Sequence, residues 1–437
     1  MTERKDAGRA RKSQFALFRS RNFMPLFATM FLGAFNDNFY KSALVILITY
    51  RLADASGIDA RILVPLASGV LILPFLLFSA LARQMADKYE RSALIQKIKI
   101  AEIVVMSLGV VGFYTASVSL LMTVLFLMGA QSAFFGPLKY SVLPQHVAPD
   151  ELLAANGLVE MGTFLAILFG TIFGGLFVLR EAGILFVSLL VVGIATIGWI
   201  ASRYIPPTRP IDPFLEFRFN VFRETAALIN EVRPRREIFL TILGISWFYF
   251  VGGTFLSQFP LYAKNVVGAD EQVATFFLAV FSIGIAVGSV ACNVLLKGEV
   301  SGKYVSYAAL GMSIAGVLLY FASLRPPLST DVPLATIGEF LVSAPNLAVS
   351  ACLFVISFFG GLYIVPLYAI VQSRSDEAFL ASATACINVT DSFFMVLSSL
   401  SVSGMLWAGV SIPGIFLLIS GLTLVAAWGI RGAMREC

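Results

Sequence analysis

Gly33-Ala34-Phe35-Asn36-Asp37-Asn38-Phe39-Tyr40-Lys41 sits inside an otherwise apolar run covering residues 22–50. An Asp or Lys at the centre of a membrane helix costs about 2.5–3.5 kcal/mol on insertion scales. Three polar residues and a cation at that depth therefore imply a helix whose polar side faces protein or a watery cavity, as in a transporter.

Outward from this stretch the chain is apolar almost throughout. Its 437 residues are 58% hydrophobic and only 13% charged, with a mean hydropathy of +0.86, against about 25% charged in soluble domains. A window of about 19 residues finds spans near 22–50, 62–82, 100–117, 119–143, 152–177 and 183–203. Further spans follow near 238–263, 272–296, 304–323, 347–370, 383–406 and 410–430. Stretches such as Val104 to Val111 and Ile184 to Trp199 are apolar on all sides, which excludes the period-two alternation of barrel strands. The expectation is an all-α integral membrane protein with twelve transmembrane helices, each satisfying its own backbone polar groups.

Residues 1–21 carry seven Lys or Arg and run directly into the first span without a signal-peptide cleavage pattern. With the N-terminus cytoplasmic, the outer side holds only Arg51, Arg61, Arg180, Lys264 and Arg325 among the basic residues, with Lys41 inside the first span. The positive-inside rule then places both termini in the cytoplasm. The net charge of +5 follows from this topology, so no nucleic-acid partner is expected. Cys292, Cys352, Cys386 and Cys437 are far apart and lack adjoining histidines, which argues against a zinc site or disulfide framework. No cofactor is expected.

The connection 204–237 divides the chain into 1–203 and 238–437. It begins with Pro206-Pro207 and Pro210, which resist helix, and continues through Phe214 to Arg223, mixing aromatics with arginines. Such a segment suits either the membrane surface or a solvated linker helix. The two halves share an order of residues: Pro137-Leu138-Lys139-Tyr140, Gln145, Asp150-Glu151 and Ala155 recur as Pro366-Leu367-Tyr368, Gln372, Asp376-Glu377 and Ala381. Just beyond, Asn156 and Glu160 are echoed by Asn388 and Asp391. Two parallel six-helix bundles related by an axis along the membrane normal would resemble the major facilitator superfamily. The loop Arg83-Gln84-Met85-Ala86-Asp87-Lys88-Tyr89-Glu90-Arg91 resembles that superfamily's signature loop, with Arg83 and Glu90 in place of its glycines. The resemblance implies that Asp87 and Arg91 form a conformational latch; a plain solvated basic loop is the other reading.

More narrowly, Gly33-Ala34-Phe35-Asn36-Asp37-Asn38, Gly136-Pro137-Leu138-Lys139-Tyr140 and Ala155-Asn156-Gly157-Leu158-Val159-Glu160 resemble the bacterial lysophospholipid transporter family. That resemblance implies a flippase of the inner membrane, carrying lysophosphatidylethanolamine and lysophosphatidylglycerol to the cytoplasmic leaflet. A cytoplasmic acyltransferase/acyl-ACP synthetase would re-acylate them there, and membrane lipids would surround the protein. The family's acyltransferase pattern, His, four intervening residues and Asp, is missing: three residues separate His146 from Asp150, and the next position is Glu151.

For such a substrate, Lys139 would hold the phosphate as a point charge. Asp37, with Asn36 and Asn38, would accept from the head group's ammonium or hydroxyls. Tyr140, Asn156, Glu160, Asn388 and Asp391 complete the substrate-binding candidates. Two alternatives stay open: Lys41, one turn from Asp37, pairs with it, or Pro137 ends or kinks span four and Lys139 snorkels to the interface. Glu160 and Asp391 also suit proton sites or inter-helix hydrogen bonds. A proton-coupled antiporter exporting a drug or metabolite, with Asp37 or Glu160 as its proton carrier, is the alternative function. A membrane enzyme is disfavoured by one histidine and no nucleophile with a base. Gly170-x-x-x-Gly174 and Gly284-x-x-x-Gly288 predict close helix approach, by analogy at the seam between spans five and eight.

Overall fold

The computed structural model describes residues 14–48, 60–208, 210–218, 220–324 and 334–435. Arg51, Phe219, Arg325, Cys437 and most of the basic N-terminal run lie outside them. Before the long connection come α1 (Met24–Leu47), α2 (Ala60–Lys88), α3 (Arg91–Thr115), α4 (Val118–His146), α5 (Leu152–Phe177) and α6 (Gly183–Ser202). The connection holds α7 (Val221–Val232). After it follow α8 (Arg236–Tyr262), α9 (Glu271–Leu295), α10 (Val305–Ser323), the short α11 (Ile337–Leu341), α12 (Ala344–Arg374), α13 (Glu377–Trp407) and α14 (Ile412–Arg435).

Nine helices among the described residues are long and apolar enough to cross a membrane by length and composition. The polar run of α1 keeps it out of that set, although its 24 residues would span about 36 Å at 1.5 Å per residue, beyond the roughly 30 Å of hydrocarbon.

Helix ends are set by caps, not by where hydropathy falls. The third span was expected from residue 100, yet α3 begins at Arg91 because the Glu90 side chain accepts from the backbone N–H of Ser92 and Ala93 at 2.8 and 2.6 Å. Likewise α13 begins at Glu377, six residues before the apolar run, where Asp376 accepts from Phe379 N–H at 2.8 Å. Pro137 and Pro144 lie inside α4, which continues past both to His146. Pro137 therefore does not end that helix.

In the first group α1 packs on α5 and α6, and α2 and α3 on α4; in the second, α12 packs on α9 and α10, and α13 on α8. Across the groups α5 meets α9, and α13 meets α2 and α4. The glycine pairs lie elsewhere than analogy suggested. A side chain at Gly170 or Gly174 would strike the α1 backbone at Phe35 and Phe39, and one at Gly284 or Gly288 the α12 backbone at Phe354 and Phe358. Both pairs are thus seams within a group, where small residues let helices approach. At the α5–α9 crossing the glycine that faces the partner backbone is Gly157, against the Ser289 carbonyl.

The connection straps the two groups. Lys88 donates to the Leu215 carbonyl at 2.8 Å and stands 4.7 Å from the Phe217 ring centroid. The sole histidine, His146, has one ring nitrogen 3.1 Å from the Pro206 carbonyl and the other 3.0 Å from that of Val142, a structural tie at the end of α4. Phe214 and Phe222 remain 91% and 83% exposed. α7 itself is held to protein, since Glu231 accepts from Arg83 of α2 and Ser382 of α13.

Candidate functional site

A half-open cavity of about 350 Å³ lies between the groups, lined by α1, α2, α3, α4, α5, α8, α12 and α13, within the usual range for small-molecule sites. Its walls carry Asp37, Asn38, Lys139, Tyr140, Asn388 and Asp391, together with Lys99, Gln131, Ser132, Tyr249 and Tyr368. Leu71, Ile72, Phe75, Phe135, Ile167 and Met395 supply apolar surface beside them.

The polar stretch of α1 divides between two faces. Asp37 lines the cavity and accepts from Ser132 Oγ of α4 at 2.6 Å, while its Oδ1 is buried without a partner. Asn36, one residue before and about 100° round the helix, points away from the cavity. Its Nδ2 donates to Glu102 Oε1 at 3.1 Å and to the Val191 carbonyl at 3.2 Å. Asn38 turns back on its own helix, donating to the Ala34 carbonyl at 2.8 Å. Lys41 is not bonded to Asp37: no ion pair joins them among the described residues. The i,i+4 spacing permits that pair, but Ser132 occupies Asp37 instead.

Lys139 faces the cavity and does not snorkel to the interface; its ammonium donates to Thr163 Oγ1 at 3.1 Å. At the floor, Tyr140 and Tyr368, residues matched by the internal repeat, stack with ring centroids 4.3 Å apart. Tyr140 donates to Glu160 Oε1 at 2.7 Å, and Tyr249 and Tyr368 hydroxyls meet at 3.2 Å. Glu160 is fully buried behind Tyr140, with Oε2 unpartnered, and is not part of the cavity wall. Asp391 accepts from Ser246 at 2.6 Å. The Asn388 amide sits where a side chain at Gly136 would collide with it, and its Nδ2 has no partner.

Asn156 belongs to the seal beneath this floor. It exchanges two hydrogen bonds with Gln372 of α12, at 2.6 and 3.0 Å, both side chains being buried. Thr384 of α13 donates to the Pro137 carbonyl at 3.3 Å, and Gln14 to that of Val290 at 3.4 Å. Phe164 of α5 also meets Phe248 of α8 across the groups, edge to face with ring centroids 6.1 Å apart.

The signature-like loop lies at the linker end. Asp87 pairs with Arg83 at 3.0 Å, and Arg83 reaches Glu231 at 3.1 Å. The Arg91 guanidinium is wholly buried and donates to the carbonyls of Ala86 and Ser141 at 3.4 Å, at the ends of α2 and α4. Arg91 thus caps helices within its group, and Arg83, which stands where the signature has glycine, reaches the linker helix α7 through Glu231. Burial would raise the Glu90 carboxyl, but hydrogen bonds from Thr208, Ala93 and Ser92 outweigh it and hold the group below its ordinary value.

Residues not foreseen as site members come from α3 and α4. Lys99 and Glu102 form an ion pair at 2.6 Å, each 1% exposed, and Gln131 donates to Glu102 at 3.4 Å. The sequence signal was present, since a Lys and a Glu three residues apart in a span also carry the cost of burial, but the span was started at residue 100 and the lysine fell outside it.

A many-helix bundle enclosing a charge-lined cavity, sealed toward one end, defines a multi-pass membrane transporter. A sequence model described as Major Facilitator Superfamily matches residues 26–342, and the chain belongs to that superfamily. It is similar to proteins named lysophospholipid transporter LplT: 26% identical over 423 residues in Enterobacter sp. (strain 638), covering 94% of this chain and 95% of the relative. In Cronobacter sakazakii (strain ATCC BAA-894) the match is 27% over 387 residues, covering 86% and 87%. Among solved structures, the human organic anion transporter MFSD10 superposes with TM-score 0.72 at 12% identity, covering 94% of this chain and 99% of that one. The E. coli fucose:proton symporter FucP gives 0.68 at 13%, covering 97% and 99%. A bacterial homologue of the iron transporter ferroportin, in an outward-facing state, gives 0.67 at 12%, covering 94% and 98%.

Proposed function

We propose that the protein moves lysophospholipids, the ethanolamine and glycerol forms foremost, across the bacterial cytoplasmic membrane by alternating access. The observation that carries this reading is one cavity holding a cation, an unsatisfied carboxylate oxygen and an apolar flank. A single-chain phospholipid needs all three. Lys139 takes the phosphate as a point charge; Asp37 Oδ1, the buried oxygen without a partner, accepts from the head group's ammonium or hydroxyl. Asn388 Nδ2 supplies a donor from the second group, so that substrate contacts both. Leu71, Ile72, Phe75 and Met395 bound the acyl chain. The full-length similarity to proteins named lysophospholipid transporters supports the substrate class.

Residues 1–203 and 238–437 are the two bodies that rock, and 204–237 is the strap. The basic linker end is cytoplasmic by the positive-inside rule, which makes the described state outward-facing. Product is consumed by an acyltransferase/acyl-ACP synthetase on the cytoplasmic side, and that consumption drives net inward movement without an ion gradient.

The test is uptake and re-acylation of labelled lysophosphatidylethanolamine in spheroplasts carrying Asp37→Ala or Lys139→Ala. Both variants are expected to lose most lysolipid remodelling. Normal remodelling with lowered drug tolerance would instead favour a proton-coupled antiporter with Asp37 or Glu160 as its proton carrier.

A further inference from the structure

Lys99 reaches the cavity wall from α3 through a gap left by glycine. A side chain at Gly33 would collide with its ammonium, and Gly198 lies beside its outer stem. Lys99 lines the same cavity as Asp37 and Lys139, and its ammonium stands 5.3 Å from the Phe135 ring centroid. Its partner Glu102 is not dependent on it: Asn36 donates to Oε1 at 3.1 Å and Gln131 to Oε2 at 3.4 Å. An ordinary buried ion pair is strongly destabilised when one member leaves, because the other charge is stranded. Here two amides, that of Asn36 held in turn by the Val191 carbonyl, remain on the carboxylate when the lysine turns away. The arrangement therefore provides a cation that can be lent to a ligand.

We propose that Lys99 is a second phosphate-binding residue of the cavity, resting on Glu102 when the site is empty and transferring to the head-group phosphate when a lysolipid enters. This rests on the lysolipid reading above. Lys139 and Lys99 then approach the phosphate from different helices, and Asp37 between them is left for the remainder of the head group.

The test uses the full chain in nanodiscs, with equilibrium binding of lysophosphatidylglycerol and of a monoacylglycerol bearing the same chain. Lys99→Gln is expected to weaken lysophosphatidylglycerol about tenfold, as loss of a charged hydrogen bond does, and to leave the monoacylglycerol unchanged. Glu102→Gln is expected to strengthen lysophosphatidylglycerol, because the lysine no longer has a competing carboxylate. The double variant Lys99→Gln/Glu102→Gln, which strands no charge in the core, guards against misfolding and should bind like Lys99→Gln; Lys99→Arg should retain binding. A merely structural pair predicts that Lys99→Gln and Glu102→Gln weaken both ligands alike, and that outcome overturns the proposal. If Lys139→Gln abolishes phosphate-dependent binding and Lys99→Gln does not affect it, Lys99 alone is wrong. If the wild-type protein binds no lysolipid, the functional reading itself fails.

Discussion

At the residue scale, the cost of a buried polar group decides what each member of the α1 cluster does. Asn36 spends its amide on Glu102 and Val191, so only Asp37 and Asn38 reach the cavity. Ser132→Ala removes the single donor to Asp37, and stranding a buried acceptor costs about 1–3 kcal/mol. The expected result is a several-fold fall in lysolipid uptake at unchanged expression, measured with the same labelled substrate. Glu90 governs a different property. Its carboxyl is held below its ordinary value in the folded protein, so its contribution is fully present above the unfolded value, about 4.3, and is lost as pH falls through the folded one. Glu90→Gln should therefore lower the melting temperature at pH 7 and flatten its decline between pH 5 and 3, read by a thermal melt in detergent. A parallel decline in both proteins would show that Glu90 does not contribute. The charge cluster was legible in the sequence because Asp37 and Lys41 are expensive wherever they face lipid. Its pairing was not, since Ser132 is 95 residues from Asp37 and nothing local distinguishes it from Lys41 as a partner.

At the scale of elements, apolar windows located the helices and side-chain caps set their ends. The twelve sequence spans each overlap a long helix, but α3 and α13 extend beyond theirs toward Glu90 and Asp376. Packing seams were harder to assign. GxxxG spacing announces close approach without naming the partner, because partner choice depends on how the bundle closes. Gly174 sits against the α1 backbone and Gly157 against that of α9, which separates two effects. Gly174→Leu should overpack a seam within one group and destabilise by about 1–3 kcal/mol, visible as a lower melting temperature. Gly157→Val should wedge the two groups apart at the linker end, changing accessibility there more than stability. Equal loss of stability in both would contradict the assignment of Gly157 to an inter-group contact.

At the scale of the whole molecule, closure at the linker end rests on a few polar links. These are the Asn156–Gln372 amide exchange and the Arg83–Glu231–Ser382 chain. Breaking one buried amide pair at about 1–3 kcal/mol would shift an open–closed equilibrium by roughly 5- to 150-fold. Cys386, fully buried on α13, is a native reporter. With the other cysteines replaced by serine, Asn156→Ala or Glu231→Gln should raise its rate of maleimide labelling severalfold, followed by mass spectrometry. An unchanged rate would mean that the seal depends on packing such as Tyr140 on Tyr368 and not on these hydrogen bonds.

By itself, the sequence determined that the chain is a helical membrane protein, where its helices lie, and that α1 and α4 carry charge the membrane would otherwise exclude. Those are consequences of local composition: hydrocarbon tolerates few charges, and every span must satisfy its own backbone. Only the tertiary structure decided that Asp37 answers to Ser132, that Lys99 and Glu102 join the site, and that Arg83 carries the ion pair with Asp87 on to Glu231 of α7. Each of these depends on which faces of distant helices meet, and neither hydropathy nor motif spacing encodes that geometry.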